Sequence, residues 1–131
     1  MFKVIIAGGR KFQHTEKHYL FVEKLLANKL LDGVEFVSGE ASGADQINWI
    51  MAQRTLGGFR AFPALWDRLD LDPCVIKTEA DGSQYNALAG FNRNEQMAEY
   101  ADALIAFPGG NGTKDMVERA KRHKLMIRRW K

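Results

Sequence analysis

The feature that most constrains this chain is a recurring junction in which a short, uninterrupted apolar run meets glycine and then gives way to a segment with helical spacing. The first run, Lys3 to Ala7, closes on Gly8-Gly9. A strand without polar alternation has both faces covered, and a parallel sheet with helices on either side is the architecture that covers them. Val34 to Ser38 followed by Gly39 repeats the junction, and Ala103 to Phe107 followed by Pro108-Gly109-Gly110-Asn111-Gly112-Thr113 repeats it again.

The intervening segments supply the helices. From Thr15 to about Leu30 the positions Tyr19, Val22, Leu25 and Leu26 recur at helical spacing, with Thr15 as the cap and Asp32-Gly33 as the stop. Ser42 and Asp45 make a capping-box-like start to a helix reaching about Thr55, and further helices are expected from about Ala89 to Tyr100 and from Thr113. Phe59 to Phe62, ended by Pro63, reads as a third strand, and Leu125 to Ile127 as the last. Ala64 to about Tyr85, with Pro73 and Asp81-Gly82-Ser83, reads as a long loop with room for a hairpin around Val75-Ile76. The expectation is an α/β fold: a single Rossmann-like domain over residues 1–131, with a mostly parallel sheet of about five strands and helices on both faces.

A chain of 131 residues is the size of one domain. Cys74 is the only cysteine, which excludes an intrachain disulfide and a cysteine metal cluster, and neither a metal nor a cofactor is expected. His14 and His18 have metal-ligand spacing but no evident third ligand, and read as surface capping residues. No apolar run approaches the ~18 residues of a membrane span, and Met1 leads directly into a strand without a signal-peptide pattern, so a cytoplasmic protein with no membrane partner is expected. The net charge of +3 is small. Arg119, Lys121, Arg122, Lys124, Arg128, Arg129 and Lys131 read as a solvated helix face and tail, and nucleic acid is not an expected partner.

In an open parallel sheet the ligand crevice lies beyond the carboxyl ends of the strands where strand order reverses, which here separates the first and fourth strands. Both end in glycine turns whose N–H groups can face phosphate oxygens, with a helix N-terminus adding its positive end. The residue reading therefore nominates three turns as binding a phosphorylated ligand: Gly8, Gly9 and Arg10; Ser38, Gly39, Gly43, Ala44 and Asp45; and Pro108, Gly109, Gly110, Asn111, Gly112 and Thr113. Glycine also serves strand-to-helix geometry with no ligand at all. The turns match neither a Walker loop nor the Gly-x-Gly-x-x-Gly dinucleotide fingerprint. Arg93 shares a helix face with Met97, and either clamps a phosphate or pairs with Glu95 or Glu99; Arg10 has the same two readings. Trp49 and Trp66 read as core or rim residues.

Four motifs together, Gly8-Gly9-Arg10-x-Phe12, Ser38-Gly39 with Gly43-Ala44-Asp45, Ala89-Gly90-x-x-Arg93-Asn94-x-x-Met97, and Ala106-Phe107-Pro108-Gly109-Gly110-x-Gly112-Thr113, resemble the YspA-like branch of the SLOG superfamily. That superfamily also holds the Lonely Guy phosphoribohydrolases and the DNA-processing protein A family. The resemblance spans the chain except for a stretch at about 69–86, which looks like an insertion. It implies a Rossmann-like domain that binds a nucleotide-derived small molecule, adds Asn94 to the ligand-binding candidates, and brings homo-oligomerisation into view, since Lonely Guy relatives are commonly dimeric. In those enzymes the motif ends in a glutamate that acts with the upstream arginine to cleave an N-glycosidic bond. Arg93 matches the arginine, but the glutamate position is Met116, and Asp115 stands about 100° away around a helix. No catalytic residue is therefore assigned. The expected function is sensing or sequestration of the ligand. The alternatives are an N-glycosidase drawing on Asp115, Glu118 or Glu40, and single-stranded DNA binding, which calls for a more basic sheet edge.

Overall fold

The computed structural model describes residues 1–70 and 73–131. Its five-stranded sheet is built from β1 (Phe2–Ala7), β2 (Val34–Ser38), β3 (Gly58–Ala61), β6 (Ala103–Ala106) and β7 (Met126–Arg129), in the order β3-β2-β1-β6-β7. Every pairing in this sheet is parallel. The helices are α1 (Glu16–Leu26), α2 (Ile47–Thr55), α3 (Ala89–Tyr100) and α4 (Asn111–Arg122). The expected Rossmann-like α/β domain is the one observed, and strand order reverses between β1 and β6.

Alternation along β1 shows why both faces must be covered. Val4 and Ile6 are buried with Val22 and Leu26 of α1 and Ile47 and Met51 of α2. Ile5 and Ala7 are buried on the opposite face with Met97 of α3 and Met116 and Val117 of α4. Right-handed crossovers produce this division: the two connections on one side of β1 carry their helices to one face, and those on the other side carry theirs to the other. Fully buried side chains such as Phe36 and Ile5 each contribute roughly 1.5–3 kcal/mol relative to exposure.

Several boundaries differ from the sequence reading. α1 stops at Leu26, and Leu30–Asp32 forms a separate 3-10 turn before Gly33. The segment after Ser42 is not one helix: Gly43–Gln46 is a 3-10 turn that leads into α2. Helix α4 begins at Asn111 rather than Thr113, which moves Asn111 and Gly112 from the loop into its first turn. The long segment after β3 contains an antiparallel hairpin, β4 (Ile76–Thr78) and β5 (Gln84–Asn86). Positions 71 and 72 of the expected insertion lie outside the described residues.

His18 does act at the start of α1, where its Nδ1 accepts the Thr15 N–H at 2.9 Å. It is not a surface residue, however: it is buried among the rings of Phe12, Phe107 and Trp130. Burial holds its imidazole below the usual pKa, so it packs as the neutral form.

Candidate functional site

At the carboxyl edge of the sheet, where β1 and β6 part, lies an open cavity of about 580 Å³. Gly8, Gly9 and Arg10 after β1, Gly39 and Asp45 after β2, Arg93 and Asn94 on α3, and Gly110 to Thr113 at the start of α4 all line it. The topological switch point thus gathers groups from three turns and one helix. Pro108 and Gly109 instead line a second cavity of about 400 Å³ on the far side of the loop. Ser38, Gly43 and Ala44 are buried beneath the turns and do not line the main cavity.

The turns are tied to one another by their backbones. Gly9 N–H donates to Pro108 O at 2.8 Å, and Ala44 N–H donates to Gly9 O at 3.2 Å. The Gly9 amide is therefore already engaged, which corrects the picture of a Gly8-Gly9 array aimed at a ligand. The expected capping box is absent too. Ser42 Oγ donates to Arg10 O at 3.2 Å, and Asp45 Oδ2 accepts the Ala41 N–H at 3.3 Å. Asn48 anchors this turn to the sheet: its Nδ2 donates to Ile6 O and Asp45 O, both at 2.9 Å, and its Oδ1 accepts the Ile6 N–H at 3.2 Å. Sequence reading did not single out Asn48, because a polar residue on a short helix carries no signal of which backbone it will meet.

The N-terminus of α4 is different. Gly110 is its N-cap, and no side chain among the described residues caps it. The first N–H groups of a helix have no intrahelical acceptor, so the amides of Asn111, Gly112 and Thr113 are available at the cavity together with the positive end of the helix dipole.

Arg93 pairs with neither Glu95 nor Glu99. Its Nη1 donates to Gly39 O and its Nε to Asn94 Oδ1 at 3.1 Å. Burial and the neighbouring Arg10 pull the guanidinium below its ordinary pKa, against the attraction of Asp45. Asn94 is buried and bridges the helices, its Nδ2 donating to Gly112 O at 3.2 Å and Asp115 Oδ2 at 3.0 Å. It thereby fixes α3 against the first turn of α4.

Asp45 is the one carboxylate among the described residues that line the cavity, facing Arg10, Lys11 and Arg93. Burial raises its pKa to about 6, only partly offset by the Ala41 and Gly39 amides and the two arginines. The carboxylates named from sequence as substitutes for the missing glutamate lie elsewhere. Asp115 is held by Asn94 and by Arg119 at 2.8 Å, Glu118 borders the second cavity, and Glu40 is exposed outside the lining. Met116 lines the cavity floor with almost no exposure.

The remaining wall is apolar and includes Trp66, Ala87, Phe91 and Met97. Trp66 and Phe91 are 40% and 37% exposed. Sequence reading gave Trp66 as a core or rim residue and overlooked Phe91, since a single aromatic in the first turn of a helix gives no sign of which cavity it will face. Trp49, 53% exposed, stands apart from this site on α2 against Phe59.

No family model and no curated protein matches this chain. Among solved structures it is similar to DNA processing protein A (DprA) from Streptococcus pneumoniae, with a TM-score of 0.66 and 20% identity over 98% of this chain and 50% of that one. DprA from Helicobacter pylori, a structure described for its single-stranded DNA binding mode, aligns with a TM-score of 0.63 and 17% identity over 96% of this chain and 63% of that one. The structural-genomics target TM1055 aligns with a TM-score of 0.63 and 15% identity over 97% of this chain and 72% of that one. The fold is the one these DprA and TM1055 structures share. The chain spans half of the S. pneumoniae protein's length, and at these identities the likeness establishes the fold alone. No helix of the described residues is long and apolar enough to cross a membrane.

Proposed function

We propose that this domain, as a member of the YspA-like branch of the SLOG superfamily, binds a nucleotide-derived phosphorylated small molecule in the cytoplasm and senses or sequesters it. The observation that carries this reading is the uncapped N-terminus of α4, which opens onto the same cavity as Arg10 and Arg93. Backbone donors, helix dipole and planar guanidinium are together the chemistry that holds a phosphate. Binding without turnover is favoured because Met116 occupies the place of the hydrolytic glutamate, and a thioether can neither shuttle a proton nor stabilise an oxocarbenium ion.

A thermal-shift panel of nucleoside phosphates and ADP-ribose-like compounds tests the reading. Ligand at ~100 Kd adds about 2.7 kcal/mol to stability. Stabilisation by a non-phosphorylated class, with none by phosphates, rejects it. Chromatography on nucleoside monophosphates should detect no released base, and turnover of around one per second would restore the glycosidase alternative.

A second reading, single-stranded DNA binding, draws support from the H. pylori DprA comparison, which weighs against leaving nucleic acid out. It requires affinity for an unstructured oligonucleotide that falls steeply with salt.

A further inference from the structure

The phosphate site accounts for only part of the cavity. A phosphate group fills on the order of a few water volumes, ~100 Å³, whereas the cavity measures about 580 Å³. The remainder is bounded by Trp66, Ala87 and Phe91, and no charged side chain belongs to that wall. Single exposed aromatics are ordinary, but two large ones facing one cavity that has a cationic end are not.

Trp66 is held in place rather than loosely displayed. Its carbonyl accepts the Asn86 N–H at 2.7 Å, and the Tyr85 ring lies edge-on to the indole with centroids 6.4 Å apart. Asn86, fully buried at the end of β5, also accepts the Leu88 N–H through Oδ1 at 3.0 Å, which joins the hairpin to the start of α3. The hairpin thus supports the indole against the helix. The position of Gly90 connects the two ends of the cavity: a Cβ there would lie 3.4 Å from Trp66 Cη2 and 3.7 Å from Arg93 Nη2. Indole and guanidinium flank the same glycine, so one small molecule can reach both.

From this arrangement we infer that the hairpin segment builds a nucleobase subsite, in which a flat, neutral heterocycle stacks on Trp66 beside Phe91 while its 5′-phosphate sits between Arg93 and the α4 amides. The inference rests on the phosphate-binding reading above and deepens it. The ligand class becomes a nucleoside monophosphate rather than a sugar phosphate or inorganic phosphate. Stacking explains why a wall with few hydrogen-bonding groups suffices, because every base presents a π face.

The test is titration calorimetry of the whole protein with AMP, GMP, CMP, UMP, ribose 5-phosphate and inorganic phosphate. At least one nucleotide should bind tenfold or more tighter than ribose 5-phosphate. Trp66→Ala should abolish that preference while leaving ribose 5-phosphate affinity unchanged, and Trp66→Phe should retain most of it. Phe91→Ala should weaken nucleotides in the same selective way. Arg93→Ala should weaken nucleotides and ribose 5-phosphate alike. Melting temperatures of the variants show whether each is folded, and both aromatic side chains are exposed enough to be removed without opening the core. If ribose 5-phosphate binds as tightly as every nucleotide, or if Trp66→Ala changes all ligands equally, the base subsite is wrong while the phosphate site stands. If no phosphate compound binds, both readings fall. Tight binding of a thymidine oligonucleotide with none of the mononucleotides would assign the wall to single-stranded nucleic acid and overturn the mononucleotide assignment.

Discussion

The turn after β2 and the turn after β6 are both rich in glycine, yet Gly43 in the first and Gly110 and Gly112 in the second use it for opposite ends. At Gly43, φ is +73° and an added Cβ would lie 2.2 Å from Gly9 O. Backbone meets backbone there, and only glycine permits the approach. At Gly110 and Gly112 an added Cβ would meet nothing within 4 Å. The first region is packed, and its glycines are explained by the fold. In the second, Gly109 is as tightly constrained, since an added Cβ would lie 2.2 Å from Thr113 Oγ1 and 2.6 Å from Gly9 N, whereas Gly110 and Gly112 face open space that the proposed ligand would fill. Glycine content alone does not separate a structural turn from a binding turn; the surroundings of the missing side chain do.

The largest effect that would sharpen this contrast is expected at Gly43. Gly43→Ala should destabilise the protein by about 3–5 kcal/mol, combining left-handed strain with a backbone clash that no rotamer relieves. Urea unfolding reads it directly, and a loss below ~1 kcal/mol would mean that the packed turn can slide.

Asp45 lies in the same packed region and should make stability depend on pH. Its pKa rises from 3.8 to about 6 on folding, so between these values the folded state holds the proton more tightly than the unfolded chain. Stability from this group therefore falls as pH rises from about 4 through 6, and the full penalty remains above that. Asp45→Asn should raise apo stability at pH 7–8 by up to ~3 kcal/mol and flatten that segment of the profile. An unchanged profile would show that Arg93 fully compensates the ionised carboxylate.

Arg93 joins the two regions, since it is bonded to Gly39 O and lines the same cavity as the first turn of α4. Arg93→Ala should weaken phosphate-ligand binding by ~1.5–3 kcal/mol. The apo protein should lose about 1 kcal/mol, because Gly39 O loses its donor. Unchanged affinity with a large loss of stability would make Arg93 a tether only.

The smallest effect is predicted at Gly112, and its two parts have opposite signs. Gly112→Ala should stabilise the first turn of α4 by a few tenths to ~1 kcal/mol while lowering ligand affinity through steric exclusion. Stabilisation with undiminished affinity would break the comparison, since the open glycine would then serve neither fold nor ligand.

How much of this was legible beforehand depends on the range of the interaction concerned. Apolar runs such as Lys3–Ala7 and Val34–Ser38 declare buried strands because a strand covered on both faces has no polar alternation, and strand-helix alternation with right-handed crossovers leaves few topologies. The amino-acid sequence by itself therefore determined the parallel sheet, its helices and the edge at which the cavity opens. What it left open was decided by contacts between residues far apart in the chain. Arg93 turned to Gly39 rather than to Glu95 because α3 packs against the turn after β2. Asp115, already paired with Arg119 one turn along α4, was joined to Asn94 only by the docking of α3 on α4. Gly9 lost its free amide to Pro108 only when β1 and β6 came side by side. Local sequence sets backbone conformation through steric and hydrophobic preferences that act over a few residues, whereas the partner of each polar group is chosen by which elements the tertiary structure brings within 3 Å of it.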